Sequence, residues 1–241
     1  MKPIIKVDRV SSVQEATELQ NLGVNIIGVS LKSETLFDDK RQVSKEMACS
    51  IRECLVSAKL CGEVDINDDL VTLTRNCGFD LIQCSKTEIP ENSIRKVLKE
   101  LGVGLVYSGI EASYEDDPSW ILSHFEKEKE LYASYFHVDL LTDIDDSWNF
   151  LKKECPKYPD ELQIDDINQI ASQHPLIITL DFSANNIIEI IESFHKSQGV
   201  NFTLGTKPAL VDFHWLDYAE LIKILLVLKQ EASKRGASHA L

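Results

Sequence analysis

The 241-residue sequence predicts a single-domain α/β protein, a closed (β/α)8 or TIM barrel spanning residues 1–241. Three observations predict it. Four phrases resemble one another: NLGVNIIGV (21–29), NCGFDLIQC (76–84), ELGVGLVYS (100–108) and SQGVNFTLG (197–205). Each runs from a helix end through a glycine, suited to the left-handed position that closes a helix, into an apolar strand. Their spacing, at multiples of roughly 25 residues, is that of one repeated βα unit. Four further apolar runs bring the strands to eight, and helical periodicity fills the intervals between strands. An open doubly wound sheet would show fewer strands and a glycine-rich first turn. Here the first turn, DRVSS (8–12), has no glycine.

Taken in order, IIKVDRV (4–10) is the first strand, and strict alternation from Lys6 makes Asp8 its last inward position. SVQEATELQNL (12–22) sets Val13, Ala16, Leu19 and Leu22 on neighbouring helical turns. The unit beginning at Val24 adds the loop LKSETLFDDKRQ with Arg41, and SKEMACSIRECLVSA (44–58) places Ala48, Ile51 and Leu55 on one helical face. KLCGEVDI (59–66) is the third strand, with Glu63 and Asp65 on one face. They line the barrel mouth in one register and face outward in the other. The helix NSIRKVLKEL (92–101), the strands YFHVDLL (135–141) and PLIITLDF (175–182), and the helix NNIIEIIESFHK (185–196) continue the alternation. SYEDDPSW (113–120) and KKECPKYPDELQIDD (152–166) are acidic, proline-containing surface excursions. DFHWLDYAELIKILLVLKQEA (212–232) reads as one long closing helix, with HWLDY as packing and Leu225, Leu226 and Leu228 as core.

Twenty-five basic and 39 acidic residues leave a net charge of −14. That argues against nucleic acid and anionic membrane, which need basic surface to displace counterions. No apolar run reaches the ~18 residues of a membrane span, and no signal-peptide core is present. The six cysteines include no CxxC pair, so buried reduced thiols in a cytoplasmic protein are the simplest account. No cofactor is called for, and the expected partner is a small-molecule substrate. Asp8, Asp65, Asp139 and Asp181 could together hold Mg²⁺ or Mn²⁺, although oxygen-ligand sites leave little sequence signature. Oligomeric state leaves no trace in the sequence.

In such barrels the active site lies at the C-terminal strand ends. That brings Asp8, Gln83, Asp139 and Asp181 to one rim. His137 precedes Asp139 by two residues and also points inward. The order and content of these segments resemble phosphoribosylanthranilate isomerase, the barrel enzyme of tryptophan biosynthesis. That family has a first strand like KxCGI, here KVDRV (6–10), then LGAD-x-IGF, here LGVNIIGV (22–29). Its S-P-R-x-V-S-x-E-x-A phrase is matched by DKRQVSKEMA (39–48), its D-x-VQLHG by DLIQCSK (80–86), and its P-x-x-LAGGLNPENV by PLIITLDFSANNI (175–187).

The resemblance implies an isomerase that converts an aminoaldose to an aminoketose, with a cysteine base after strand one and an aspartate acid after strand six. Asp8 stands at the base position and Asp139 at the acid position, and Arg41 matches the arginine that contacts substrate. Gln83, Asp181, Lys6 and Gly205 complete the candidate substrate-binding positions. A carboxylate can replace a thiolate as base, since proton transfer needs position and a suitable pKa. Asp8 could alternatively pair with Lys6 or Arg9 and merely close the strand end.

The departures from the family fall together. Its phosphate is held by glycine loops after strands six, seven and eight. Here LAGGL has become ITLDF, with Leu180 and Asp181 at the glycine positions, the loop after strand six reads TDIDDSW, and an SG pair is Leu204–Gly205. Two like charges about 4 Å apart cost roughly 4 kcal/mol at an effective dielectric of 20. Three readings follow: a diverged acid–base isomerase on a small polar substrate without a terminal phosphate; an authentic phosphoribosylanthranilate isomerase whose phosphate site is rebuilt from Lys207 or Lys86; and a noncatalytic binding barrel.

Overall fold

The computed structural model describes residues 3–31, 41–85, 87–205 and 214–238. Its eight main strands are β1 (Ile4–Asp8), β2 (Ile26–Ser30), β3 (Lys59–Val64), β4 (Leu81–Cys84), β5 (Gly104–Ala112), β6 (Ala133–Leu140), β7 (Leu176–Thr179) and β8 (Gly199–Leu204). They pair in sequence order, all parallel, and β1 closes on β8 from Ile4 opposite Gly199 to Asp8 opposite Thr203. The eight predicted strands are therefore all present, and the barrel is closed.

The helices are α1 (Val13–Asn21), α2 (Lys45–Cys54), α3 (Leu70–Cys77), α4 (Asn92–Glu100), α5 (Ser123–Glu126), α6 (Ser147–Lys153), α7 (Ile164–Gln173), α8 (Ile187–Ser193) and α9 (Tyr218–Ser238). Ser12, Ser44 and Asp69 cap the first three by accepting from backbone N–H groups of the first turn. Ala16, Leu19, Ala48 and Ile51 face the strands, as the periodicity requires. Burying Leu19 or Ile51 is worth about 1.5–3 kcal/mol each.

The excursions differ from a plain one-helix-per-strand pattern. After β5 there is a short 3-10 turn, Pro118–Trp120, and the four-residue α5, whereas β6 is followed by both α6 and α7. The closing helix also starts later than its sequence suggests. Asp217 accepts from the Glu220 N–H at 2.8 Å, which fixes the helix start beside it. Trp215–Leu216 instead forms a ninth strand, β9, paired in parallel with Thr203 and Leu204 of β8. Thr203 already pairs with Asp8 on its β1 side, so β9 lies on the β7 side. The pairing of β7 with β8 involves only Ile177–Gly199 and Ile178–Val200, and β9 continues the sheet above it.

The barrel interior has an apolar floor of Ile4, Ile26, Cys61, Leu81, Val106 and Tyr135. Above it, alternation brings Lys6, Gln83, His137, Thr179 and Asn201 inward, all buried. Branched aliphatic residues ordinarily fill these layers. Polar groups at this depth need partners, and the partners they find define the site. No helix among the described residues is long and apolar enough to cross a membrane.

Candidate active site

A cavity of about 340 Å³ opens at the C-terminal strand ends and is lined by Asp8, Gln83 and Asp139 together with Arg9, Glu63 and His137. Thr179, Thr203, His214 and Trp215 complete the wall on the β7–β8 side. The volume suits a small molecule.

Asp8 is an inward residue. Its carboxylate is hydrogen-bonded to the Lys6 ammonium, which also donates to Asn201 Oδ1 at 3.1 Å. Lys6 is fully buried and lies beneath the cavity rather than on its wall. The alternative pairing of Asp8 with Lys6 is present, and Asp8 lines the cavity as well, so the two readings of Asp8 are compatible. Gly28 on β2 makes room for it, since a Cβ there would lie 2.0 Å from Asp8 Oδ1.

Asp139 repeats this arrangement on β6. His137 Nε2 lies 3.3 Å from Asp139 Oδ1 and 2.6 Å from Thr179 Oγ1. Thr179 Oγ1 accepts from Nε2–H, and its one proton is shared between the Asn201 carbonyl, 3.4 Å away, and the Asp139 carboxylate. Burial pushes Asp139 up, but the charge and hydrogen bond of His137, the Thr179 hydroxyl and His214 outweigh it and hold the carboxyl below the ordinary range. Lys6–Asp8 and His137–Asp139 are therefore the same device on two strands: a basic side chain two residues before an inward carboxylate.

Glu63 faces the cavity, which settles the register of β3, while Asp65 accepts from Asn67 in the turn that follows. Burial, and then the negative charge of Asp8, raise the Glu63 carboxyl above its usual range against the pull of Arg9, Ser30 and Lys6. Gln83 also lines the cavity, and its Oε1 is buried with no donor among the described residues.

The structure does not bring Arg41 to the cavity. Its guanidinium bonds Glu15 at 3.1–3.2 Å, and Nη1 donates to the Arg9 carbonyl at 3.2 Å. It is Arg9 that enters the cavity, with its guanidinium 4.8 Å from the centroid of the Trp215 ring. Arg9 has φ +67°, a left-handed conformation that costs a non-glycine residue about 1–2 kcal/mol. Leu141, just past β6, is also left-handed at φ +55°. The strands carrying Asp8 and Asp139 thus both end in strained residues, as functional sites often do.

Asp181 is directed away from the cavity as well. It accepts from Ser147 Oγ at 2.6 Å and from the Trp148 N–H at 2.8 Å, serving the first turn of α6. Burial raises its carboxyl against those two bonds. With Asp65 and Asp181 engaged elsewhere, the four aspartates do not converge on a cation, and no cluster of three metal-ligating side chains occurs among the described residues. Gly205 supports Trp215, as a Cβ there would meet the indole at 2.2 Å. His214 donates from Nε2 to the Leu140 carbonyl at 3.0 Å, and burial lowers its pKa. The segment expected to be plain packing, His214–Trp215, is therefore part of the cavity wall. Leu225 is core as expected, but Leu226 is exposed. Lys86 and Lys207 lie outside the described residues.

No family model and no curated protein sequence matches the chain. Solved structures match along nearly all of it. N-(5'-phosphoribosyl)anthranilate isomerase from Pyrococcus furiosus superposes with a TM-score of 0.62 at 17% identity, covering 95% of this chain and 99% of that one. Phosphoribosyl anthranilate isomerase from Thermotoga maritima gives a TM-score of 0.64 at 12% identity, with the same coverage. A truncated 3-deoxy-D-arabino-heptulosonate 7-phosphate synthase from Thermotoga maritima gives 0.53 at 15% identity, covering 99% of this chain and 88% of that one. The fold resembles that of phosphoribosylanthranilate isomerase at low sequence identity.

Proposed function

We propose that this barrel is an acid–base enzyme that isomerises or enolises a small polar substrate lacking a terminal phosphate. The observation that carries the reading is the convergence of Asp8 and Asp139 on one cavity, each backed by a buried basic side chain. Asp8 removes a proton from the carbon next to a C=O or C=N group. Asp139 protonates the heteroatom, and the resulting enol or enamine tautomerises to the product. The position of Asp139 fits the acid of the isomerases that the fold resembles. Its carboxyl is held below the usual range. In the tautomerisation Asp8 returns its proton to the neighbouring carbon and Asp139 recovers one from the second heteroatom, while His137 Nε2 holds the Asp139 carboxyl in place. Lys6 orients Asp8 through their hydrogen bond, and Glu63 and Gln83 meet hydroxyl or amine groups of the substrate.

The reading that the substrate lacks a phosphate rests, among the described residues, on the β7–β8 side. Barrels of this class commonly hold phosphate at the loops after strands seven and eight. Here β9 pairs with β8 on that side, Trp215 is packed on Gly205, and Asp181 serves α6. The test is complementation of a tryptophan auxotroph lacking phosphoribosylanthranilate isomerase, followed by a direct assay. Failure to complement is expected. Turnover above about 1 s⁻¹, within the usual enzyme range, would contradict the reading.

A further inference from the structure

We propose that Arg9, rather than Arg41, anchors the ligand, and that the group it anchors is the carboxylate of a small zwitterion carrying an amine as well. This rests on the preceding reading of the cavity as a substrate site without a phosphate arm. The KxCGI pattern that KVDRV resembles has glycine at this position, and the backbone here keeps a glycine's conformation at φ +67°. What the arginine adds is a guanidinium inside the cavity, over the Trp215 ring at 4.8 Å. Contact with the indole face restrains the guanidinium, and a planar fork matches the two oxygens of a carboxylate.

Arg41 has a different place in this arrangement. It is pinned by Glu15 and donates to the carbonyl of the strained Arg9 peptide, so it is a positioning residue for Arg9. The cavity charge selects the ligand class. Asp8, Glu63, Glu111 and Asp139 line the same space, and they repel a phosphate dianion about twice as strongly as a carboxylate. The same four side chains attract an ammonium group.

The experiment follows the Trp215 indole N–H by NMR, assigned with Trp215→Phe, during titration with glycine and β-alanine, and with glycinamide and inorganic phosphate as controls. Saturable shifts with the two amino acids, and much weaker ones with the controls, are expected. Arg9→Gly should weaken amino-acid binding about 10–100-fold while melting no lower than wild type, because glycine suits the backbone. Arg41→Gln should weaken binding in the wild-type background and add nothing in Arg9→Gly. Asp8→Asn and Asp139→Asn each remove one of the four carboxylates that attract the ammonium. They should weaken amino-acid binding less than Arg9→Gly does while sharply reducing proton exchange, so failure of the anchor is distinguishable from failure of the proton-transfer pair. A wild-type protein that answers to neither amino acid, or to phosphate alone, would overturn the proposal. So would Arg9→Gly that binds as well as wild type, or that melts several degrees lower.

Discussion

Asp8 and Gly28 are complementary: the carboxylate on β1 occupies the space that any side chain on the neighbouring β2 position would need, with Oδ1 2.0 Å from where a Cβ would stand. Gly28→Ala must therefore displace Asp8 from the cavity wall or move the strand. Overpacking of this kind costs about 1–3 kcal/mol. Urea unfolding should show a loss in that range for Gly28→Ala. An unchanged midpoint would mean that Asp8 has another position at no cost.

The buried Lys6–Asp8 pair makes a second prediction. Removing one partner of a buried ion pair leaves an uncompensated charge and costs about 3–5 kcal/mol. Lys6→Met should lose that much, and Lys6→Met combined with Asp8→Asn should lose clearly less than the two single changes added together. Denaturant midpoints of the four proteins give the coupling directly; additivity would show that the pair contributes nothing.

The raised carboxyl of Glu63 gives a pH signature. A folded-state value above the unfolded one contributes stability below the unfolded pKa, and that contribution is lost as pH rises through the folded pKa. At neutral pH the burial of this charge is therefore a cost. Glu63→Gln keeps a partner for Ser30 and removes the charge, so it should raise the melting temperature at pH 7 by about 2–4 °C, the shift of roughly 1 kcal/mol in a chain of this size. Near pH 4 the gain should vanish. A gain that is equal at both pH values would place the effect in packing rather than charge.

The barrel was legible because each βα junction joins a helix end, a glycine and an apolar run, and three of the four signature glycines, Gly23, Gly78 and Gly102, indeed have positive φ. The fourth, Gly199, is the first residue of β8 and not a helix cap. Asp8, Gln83 and Asp139 were legible because side chains alternate in a strand. Arg9 was not, since it lies past the strand end in a left-handed conformation where alternation gives no direction. Trp215 was hidden because a two-residue strand exists only through its pairing with β8. The engagement of Arg41 by Glu15 and of Asp181 by α6 depends on tertiary neighbours, and a motif match records only the residue type.

The account depends most on Asp8 and Asp139 moving protons on a substrate without phosphate. The direct measurement is deuterium incorporation from D₂O at the carbon next to the carbonyl, read by proton NMR, across free pentoses and amino sugars and their matched phosphate esters. Exchange in an unphosphorylated member is predicted, falling roughly 10²–10⁴-fold in both Asp8→Asn and Asp139→Asn as removal of a general acid or base requires. Exchange confined to the phosphate esters, or exchange that persists unchanged in both variants, would contradict it.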